Sequence, residues 1–251
     1  MDKGPLTFRI MTWNVHGCFG TDGKLSPYRV AKVIAQYTPD IVALQELDVK
    51  RARSGVVDQP HVIARDLRMY FHFHPALEVE EEKYGNAVLS RFEVQLMRAG
   101  PLPTLPRRTD LEQRSALWAR IMAGEREINI INTHLGLNRM ERLAQANALL
   151  GPDWIGDPGC RPPIIFCGDF NAGAYSPVYK KFRSRFRDAQ LSSPAKSARG
   201  TFPSYLPLLR LDHIFLSGEF DIKNIEVPRT PLTARASDHL PLIAEISLEG
   251  V

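Results

Sequence analysis

The sequence predicts an α/β fold built on mixed sheets, in preference to a wholly parallel, doubly wound sheet. Three observations support this prediction. Strand-like segments outnumber helical ones, and several neighbouring strands are separated by hairpin-length connections, which is typical of antiparallel pairing. A helix followed by a buried strand that ends on an acidic residue occurs twice, at Glu46 and at Asp169, which suggests two similar halves packed together.

The elements of the first half follow from alternation and from helix-end signals. Alternating apolar residues predict a first strand over residues 8–13. Ser26-Pro27 is typical of a helix N-terminus, with a capping side chain and a proline in the first turn. Pro39-Asp40 then ends the helix before a short apolar strand over residues 41–44. A second helix is predicted over residues 60–70, and further strands over residues 85–90, 93–97, 115–122 and 127–132.

The second half contains fewer helices. A helix is predicted over residues 140–150, where Leu143, Asn147 and Leu150 lie on one side, and Gly151-Pro152 ends it. A buried strand follows over residues 164–167, and Ser176-Pro177 begins a short helix. Strands over residues 211–216, 220–227 and 240–246 complete the chain. Residues 100–106 and 192–200 have the composition of surface loops.

Composition restricts the class of protein more than its function. With 251 residues, 44% of them hydrophobic and 24% charged, the chain can form one large domain or two small ones without a long disordered stretch. A formal charge of +4 suits an anionic substrate, but many unrelated proteins share it. Three cysteines without a CxxC pair argue against a disulfide framework or a zinc cluster. Together with the lack of a signal-peptide core or membrane-spanning run, they predict a cytoplasmic protein.

Six short apolar runs each end on polar residues suited to holding a metal ion or a phosphate. Buried strands that end in this way can deliver side chains from distant parts of the chain to one rim of a sheet. The recurrence therefore predicts a composite site at that rim. The residues at these ends are Asn14, Gln45-Glu46, Asn132-Thr133-His134, Asp169-Phe170-Asn171, Asp212-His213 and Asp238-His239.

The acidic residues at these ends are candidates for metal binding and water activation. A carboxylate at Glu46 must be paired, hydrated or metal-bound, because burying it bare is costly, and hard oxygen ligands suit Mg²⁺ or Mn²⁺. The alternative for Glu46 is a salt bridge at the rim. Gly168 allows a tight turn, so that Asp169 can hold an attacking water and Asn171 can donate to a phosphate oxygen. The alternative for this Asp-x-Asn segment is an Asx-turn that ends the strand.

Two histidines share this setting. His239 follows Asp238 and can act as a general base, and His134 ends its own strand; for each, the alternative is a histidine without a chemical role. His213 should point away from the side that Asp212 faces, because neighbouring strand residues face opposite ways. The other histidines are expected to be structural, with His16 the least certain because it lies close to Asn14; they are His16, His61, His72 and His74.

Other known catalytic motifs are absent from the sequence, and two further segments each have two interpretations. There is no catalytic serine or cysteine arrangement, P-loop or HExxH motif in the sequence, and Cys167 within a buried strand is expected to be inert. The basic segment 180–187 is either a nucleic-acid-binding patch or a helix that buries Val178, Phe182 and Phe186, which are spaced by four. The apolar loop 202–209 either lines a substrate cleft or simply packs.

Taken together and in order, these motifs resemble the endonuclease/exonuclease/phosphatase superfamily of metal-dependent phosphoesterases. The resemblance covers essentially the whole chain, so a single domain over residues 1–251 is expected. It implies a four-layer α/β/β/α sandwich, in which two mixed, mostly antiparallel sheets pack face to face between helices and carry the active site at one rim. The motifs are Thr12-Trp13-Asn14, Leu44-Gln45-Glu46, Gly85-Asn86-Ala87-Val88-Leu89-Ser90, Asn132-Thr133-His134-Leu135, Gly168-Asp169-Phe170-Asn171, Leu211-Asp212-His213-Ile214 and Ser237-Asp238-His239.

The resemblance also implies a ligand set and a role for the acidic residues. Glu46 is the expected principal ligand of a Mg²⁺ or Mn²⁺ ion, with Asn14 beside it and Asp238 close to the ion. Asp212 should hydrogen-bond His239 and hold its tautomer. Either His239 or Asp169 acts as the general base, and the sequence leaves this choice open. In the first case His239 deprotonates water; in the second it clamps the phosphate while Asp169 orients or deprotonates the water.

The remaining site residues are expected to contact the phosphate. Asn171 should position the water and the phosphate, and His134 should stabilise the phosphorane or help to protonate the leaving oxygen. Arg114 either contacts phosphate or forms a structural salt bridge. In secreted deoxyribonucleases a glutamate partners the first histidine; the candidates for that role here are Glu78, Glu80, Glu81 and Glu82.

The version of the motif that contains His134 resembles deoxyribonucleases, sphingomyelinase-like phosphodiesterases and the small bacterial hydrolases of the superfamily. Overall size, Glu112-Gln113-Arg114 and Thr201-Phe202-Pro203 are most similar to the small bacterial hydrolases. The predicted function is therefore a metal-dependent phosphodiesterase that acts as a monomer on a lipid-like or nucleotide diester. The alternatives are a repair or degradative DNA nuclease, and a catalytically silent binding module on the same fold.

Overall fold

Two six-stranded sheets pack face to face in the computed structural model, and helices cover their outer faces. The structure describes residues 4–106, 108–194 and 198–249. This architecture confirms the expected α/β/β/α sandwich. The strands are β1 (Leu6–Asn14), β2 (Ile41–Val49), β3 (Tyr70–Val79), β4 (Glu82–Ser90), β5 (Glu93–Pro101), β6 (Ser115–Ala123), β7 (Arg126–His134), β8 (Ile164–Asp169), β9 (Arg187–Asp188), β10 (Asp212–Leu216), β11 (Phe220–Glu226) and β12 (Leu242–Leu248). The helices are α1 (Pro27–Tyr37), α2 (Gln59–Leu67), α3 (Arg139–Leu149), α4 (Pro177–Arg183), α5 (Ala189–Ser192) and α6 (Pro231–Ala236).

Both sheets combine one parallel pair of strands with antiparallel neighbours. The first sheet has the order β11-β12-β1-β2-β4-β3, with β1 and β2 parallel, and the second has the order β5-β6-β7-β8-β10-β9, with β7 and β8 parallel. Helix α1 joins β1 to β2 and α3 joins β7 to β8, because parallel neighbours need a crossover connection. A hydrogen bond between Asn14, which ends β1, and Asp169, which ends β8, holds the two carboxyl edges side by side.

Alternation along the strands divides the apolar side chains between two faces. In β1, Phe8 and Ile10 face the second sheet, whereas Met11 and Trp13 pack under helices α1 and α2. A third apolar cluster lies between the second sheet and helices α3 and α4. The edge that carries the polar residues is thus supported from the inter-sheet core and from both helical layers.

The helix ends follow the sequence signals. The Ser26 side chain accepts from the backbone N–H of Arg29, and Pro27 opens α1, as the capping pattern predicts. Helix α4 buries Val178 and Phe182 and exposes its basic side chains, which confirms the helical interpretation of this segment. Among the described residues, no helix combines the length and the apolar character needed to cross a membrane.

Four elements were not predicted: the strands β3 and β9 and the helices α5 and α6. Strand β3 lies at the edge of its sheet and most of its residues are half-buried, so its sequence does not alternate between apolar and polar residues. The helix predicted over residues 60–70 ends at Leu67, because Arg68 adopts a left-handed conformation with φ +55°. Helix α6 lies between the predicted strands over residues 220–227 and 240–246, where no helix was predicted, and it begins with reciprocal hydrogen bonds between Thr230 and Thr233. Of the loop predicted over residues 192–200, residues 195–197 lie outside the described residues.

Candidate active site

Polar side chains from both sheets meet at the edge where the parallel strands end. Asn14 ends β1, His134 ends β7 and Asp169 ends β8. Asp212 opens β10 and pairs with Asp169 across the antiparallel ladder, while His134 pairs with Asp169 across the parallel one. The turn before β12 adds His239, so residues separated by more than two hundred positions become neighbours.

Asn14 connects the two sheets through two carboxylates. Its Nδ2 donates to Glu46 Oε1 at 2.8 Å and to Asp169 Oδ2 at 3.0 Å, and its Oδ1 accepts from the backbone N–H of His16 at 3.0 Å. Glu46 has φ +61°, and the β2–β4 register shifts around it, as in a β-bulge. A positive φ is costly for a residue with a long side chain, and such strain is typically retained at functional positions.

His239 and Asp212 form a buried pair at the centre of this edge. His239 Nδ1 donates to Asp212 Oδ2 at 2.8 Å, and His239 Nε2 lies 3.7 Å from Asp169 Oδ2. Burial opposes the imidazolium charge, but the carboxylates of Asp212 and Asp169 outweigh it and raise the pKa of His239 to about 10. The Phe202 ring covers the imidazole at 4.8 Å between centroids, and Trp13 Nε1 donates to the His239 carbonyl. His239 is therefore a fixed cation at neutral pH.

Asp169 lies at the junction of these contacts and is almost completely buried. Burial, and then the neighbouring Asp212 carboxylate, raises the pKa of Asp169 to about 7, against the opposing effect of His239 and of the hydrogen bond from Asn14. Asp169 Oδ1 accepts from the backbone N–H of Asn171 at 2.8 Å. Its Oδ2 faces the site. A carboxylate with a pKa close to neutrality is suited to exchange a proton with water.

The backbone around Asp169 explains the neighbouring glycine and asparagine. Gly168 has φ +140°, and a Cβ there would lie 1.9 Å from the carbonyl oxygen of Thr133. Glycine is thus required by the close approach of β8 to β7, whereas the sequence suggested a tight turn after the strand. Asn171 has φ +47°, a left-handed conformation that asparagine tolerates better than most residues, and this turn directs its amide toward His134.

Arg114 holds His134 as a neutral imidazole. A guanidinium group cannot accept a hydrogen bond, so Arg114 Nη1 donates to His134 Nδ1 across 3.0 Å. Burial, and then the charges of Arg114 and His239, lower the pKa of His134 well below its usual value. The single ring proton of His134 therefore lies on Nε2.

Two hydrogen-bond donors then face the same space. His134 Nε2 lies 3.1 Å from Asn171 Nδ2, and the Leu135 carbonyl, which accepts from that Nδ2 at 2.9 Å, fixes the orientation of the amide. Both the His134 Nε2–H group and the Asn171 amide are donors, so they cannot form a hydrogen bond with each other. An anionic oxygen that accepts from both groups would satisfy this pair, as in sites that bind phosphate or an oxyanion.

The prediction that a glutamate from residues 78–82 partners His134 is wrong. The β3–β4 hairpin carries these side chains to other partners, and Arg114 occupies the position beside His134. Arg114 also pairs with Glu112 at 2.8 Å, so it reaches the site through the imidazole. The partners of the glutamates are Lys83 for Glu78, Lys50 for Glu81, and Arg51 with the backbone N–H of Ala52 for Glu82, while Glu80 has no contact with His134 in the described part of the chain.

His16 lies next to the site, whereas its sequence setting predicts a structural role. Its Nδ1 lies 3.6 Å from Asp238 Oδ1, and its backbone N–H binds Asn14. Asp238 accepts from Ser237 Oγ at 3.3 Å and is 37% exposed, so His16 and Asp238 form the open side of the site. The available signal was the position of His16, two residues after Asn14.

Other residues lie outside the site, as expected. His213 points away from Asp212, and its Nε2 donates to the Ala172 carbonyl at 2.8 Å while its ring lies against Phe215. Cys167 is buried in β8, and burial raises the pKa of its thiol far above the usual range. Neither residue faces the carboxylates.

The donor set of this edge suits a divalent cation. Glu46, Asp169 and Asp212 contribute three carboxylates, whereas His239 contributes one positive charge. Asp212 Oδ1 is buried without a hydrogen-bond partner among the described residues. Asp169, Asp212 and His239 offer ligand atoms within 4.8 Å of one another. However, the His239–Asp212 hydrogen bond already occupies two of these ligand atoms, and a protonated His239 has no lone pair with which to bind a metal ion. Glu46 with Asn14 is the more suitable position, because the Glu46 side chain is still 22% exposed.

The chain is similar to known proteins over almost its whole length. A sequence model of the Endonuclease/Exonuclease/phosphatase family matches residues 11–239, a range that extends from β1 to His239. An uncharacterized protein of Escherichia coli strain K12, YbhP, is 29% identical over 261 aligned positions, which cover 96% of this chain and 97% of that protein.

Solved structures share the fold at lower identity. The human Nocturnin catalytic domain with bound sulfate anion has a TM-score of 0.72 and 24% identity, with 99% of this chain and 96% of that chain covered. The mannosyl-6-phosphatase Bt3783 of Bacteroides thetaiotaomicron has a TM-score of 0.76 and 20% identity, with 95% and 99% covered. At these identities the likeness concerns the fold.

Proposed function

Because the chain belongs to the endonuclease/exonuclease/phosphatase family, whose members are metal-dependent phosphoesterases or nucleases, we propose that it is a phosphodiesterase dependent on Mg²⁺ or Mn²⁺. The observation that carries this proposal is the convergence of Asn14, Glu46, Asp169 and the Asp212–His239 pair at one edge of the two sheets. A phosphodiester is an anion that water attacks extremely slowly, so its hydrolysis needs charge neutralisation, a positioned water and a stabilised leaving oxygen.

Glu46 and Asn14 are the residues that would hold the cation, with Asp238 close by. Bound there, a divalent cation neutralises the charge of the phosphate and lowers the pKa of a nearby water. The hydrogen bonds from Asn14 to Glu46 and Asp169 keep these oxygen donors in place. The strained backbone of Glu46 supports a role that packing alone does not explain.

The geometry favours Asp169 over His239 as the group that acts on the attacking water. His239 is a cation at neutral pH because of its carboxylate neighbours, so it has no free lone pair with which to accept a proton. Its Nε2–H faces the site beside Asp169, where it suits an interaction with a phosphate oxygen. Asp169, with a pKa raised to about 7, is able to orient and deprotonate water.

His134 and Asn171 are proposed to bind a second phosphate oxygen and to stabilise charge as it grows on the phosphorane. Their two N–H donors lie 3.1 Å apart, and Arg114 keeps the imidazole in the tautomer that donates. A neutral His134 with a strongly lowered pKa is a poor source of a proton for the leaving oxygen. This argument favours oxyanion stabilisation by His134.

A DNA nuclease is the second candidate. The observation in its favour is the row of exposed basic side chains on α4, namely Lys180, Lys181 and Arg183, which would suit a phosphate backbone.

Among the solved structures, the sulfate bound to human Nocturnin is an anion of the size of a phosphate group, and the name of Bt3783 specifies a phosphate monoester. Diester, monoester and DNA must therefore be compared directly.

The test is a substrate panel measured with Mg²⁺, Mn²⁺ and EDTA. Bis-p-nitrophenyl phosphate, p-nitrophenyl phosphate and plasmid DNA serve as diester, monoester and nucleic acid. We expect metal-dependent turnover of the diester above that of the monoester, and loss of this turnover in Glu46→Gln. The control is Glu81→Gln, which removes a fully solvated carboxylate that pairs with Lys50.

Each result decides between the candidates. EDTA-sensitive cutting of plasmid DNA that far exceeds diester turnover would replace the proposal with the nuclease. A preference for the monoester would make the protein a phosphatase. If no substrate reacts with either metal, and Glu46→Gln changes neither metal binding nor thermal stability, the catalytically silent binding module would be the better description.

A further inference from the structure

Exposed apolar side chains are concentrated on three segments that leave the catalytic edge. The segments are the β7–α3 connection with the start of α3 (residues 135–142), the β8–α4 connection (residues 171–176) and the loop before β10 (residues 198–211). Seven large apolar side chains on these segments are more than a third exposed; they are Leu137, Met140, Tyr175, Tyr205, Leu206, Leu208 and Leu209. Tyr175 is 93% exposed, and Leu137 and Leu208 are each 73% exposed. We call these three segments the apolar rim.

Backbone hydrogen bonds link the apolar rim to the catalytic residues and its segments to one another. The Asn171 amide binds the Leu135 carbonyl, which joins the first segment to the second. The Phe170 N–H binds the Leu211 carbonyl at 2.9 Å, and the Ala172 carbonyl accepts from His213, so the second segment lies beside the third. The Ser204 N–H in turn binds the Asp238 carbonyl. The three segments of the apolar rim are therefore joined to one another, and to the catalytic edge, where they leave the strands.

The charges on the apolar rim have one sign. Arg139 is exposed, Arg142 is partly exposed and Arg199 is exposed. Glu141 is the single acidic residue among the described residues of these segments, and it is buried. Other loops of the chain carry both signs, as in the Arg108–Asp110 and Lys50–Glu81 pairs. The apolar rim thus combines exposed leucines and tyrosines with the exposed arginines Arg139 and Arg199.

We propose that the apolar rim docks on an anionic phospholipid bilayer, and that the phosphodiester is presented from that bilayer as part of a lipid. Apolar side chains next to basic ones bind the boundary between headgroups and acyl chains, and tyrosine is enriched at that depth. Arginines near an anionic membrane surface add attraction that falls with salt. This substrate class rests on the proposed phosphodiesterase function, whereas the docking surface itself does not.

The arrangement also explains why these side chains are outside the core. Large exposed apolar patches are uncommon on monomeric proteins and mark interaction sites. A nucleic-acid surface would be expected to carry more cations and fewer leucines. A docked rim would bring the site close to a phosphate at the bilayer surface without removing the lipid from its membrane, because the three segments adjoin the strand ends that carry His134, Asp169 and Asp212.

The test is co-sedimentation of the full chain with phosphatidylcholine vesicles, with and without phosphatidylglycerol. We expect binding to the vesicles that contain phosphatidylglycerol, weakened by salt. The double variant Leu137→Ser/Leu208→Ser should bind these vesicles at least about tenfold more weakly, since each leucine loses its burial in the interface. The matched control is Tyr70→Ser/Leu96→Ser, which removes two exposed apolar side chains from the strands β3 and β5, away from the site. This control should bind like the wild type.

Hydrolysis is measured separately, on soluble bis-p-nitrophenyl phosphate and on a phosphatidylglycerol diester in vesicles. The Leu137→Ser/Leu208→Ser variant should keep the wild-type rate on the soluble diester and lose most of its rate on vesicles. Vesicle binding by the wild type without hydrolysis of either substrate would overturn the proposed phosphodiesterase and leave the docking surface standing.

Three results would overturn the docking surface. The first is no vesicle binding by the wild type, including the case in which it binds duplex DNA instead. The second is equal vesicle binding by the wild type and the Leu137→Ser/Leu208→Ser variant. The third is a parallel loss of soluble-diester turnover in that variant with unchanged thermal unfolding, which would mean that the leucines shape the catalytic centre.

Discussion

Arg114 donates a hydrogen bond to Nδ1 of His134 across 3.0 Å, and both side chains are buried. In this position a glutamate partner would stabilise an imidazolium, whereas a guanidinium excludes one. The relationship therefore fixes both the charge of His134 and the nitrogen that carries its proton. Of the two roles expected of His134, this relationship favours the binding of an anionic oxygen over the donation of a proton to the leaving oxygen.

Removing the Arg114 charge should weaken this function. In Arg114→Gln, the pKa of His134 should rise toward its ordinary value, because one of the charges that lower it is gone. We expect kcat/KM for a diester to fall about 10- to 100-fold. Imidazole NMR titration of the metal-free protein measures the pKa. Arg108→Gln, which removes an exposed arginine paired with Asp110, is the control, and an equal effect of both variants would contradict the prediction.

The Asp212–His239 pair should affect the titration of the His239 imidazole and the pH dependence of the free energy of unfolding. In EDTA, the His239 imidazole should titrate at about pH 10. In Asp212→Asn this midpoint should fall, since the carboxylate that raises the pKa has been removed. Because the folded pKa exceeds the ordinary pKa of histidine, 6.5, the pair stabilises the fold fully below about pH 6.5 and loses this contribution as the pH rises to 10. A wild-type midpoint close to 6.5 would refute the pairing.

Loss of the proposed metal ligand should separate binding from folding. Glu46→Gln keeps the size of the side chain and its contact with Asn14, but it removes the negative charge. We expect weaker Mn²⁺ binding by calorimetry and a fall in kcat of roughly a hundredfold or more. Thermal unfolding in EDTA should change little. Wild-type affinity for Mn²⁺ in this variant would move the ion away from Glu46.

The Asp169 carboxylate should be required for activity and should lower the free energy of unfolding. Its folded pKa of about 7 lies above the ordinary pKa of aspartate, 3.8, so the unfolded chain binds fewer protons between these pH values. The free energy of unfolding therefore falls as the pH rises through that window. In EDTA at pH 8, Asp169→Asn should therefore be more stable than the wild type by of order 1 kcal/mol, while turnover is nearly abolished. Urea unfolding measures the first effect. A large destabilisation would mean that Asp169 serves the scaffold.

A buried amide pair beneath the site should contribute to folding. Gln45 Nε2 donates to Asn132 Oδ1 at 2.8 Å, and Asn132 Nδ2 donates to the carbonyls of Leu44 and Ala87, so the pair ties the two sheets together. Asn132→Ala removes these three hydrogen bonds and should lower the free energy of unfolding by about 2–4 kcal/mol in urea. The exposed Asn224→Ala should change it little. Equal stability of the two variants would show that the amide pair adds nothing to the union of the sheets.

Much of the fold and the membership of the site could be predicted because they depend on local patterns. Alternation locates most strands, Ser-Pro pairs locate helix starts, and the polar residues that end apolar strands indicate one functional edge. Strand β3 and helix α6 were missed, since an edge strand need not alternate and a two-turn helix has too few residues for a periodic signal. His16 was missed for a related reason: its proximity to Asp238 depends on contacts between segments more than two hundred positions apart.

By itself, the sequence determined which side chains gather, because burial and strand direction are written in the order of polar and apolar residues. The tertiary structure alone decided their states. The Arg114 guanidinium donates to His134, whereas the carboxylates of Asp212 and Asp169 lie beside His239, so one histidine is neutral and the other is charged. The physical reason is that a pKa depends on burial and on charges within a few ångströms, and those distances are set only when the two sheets pack together.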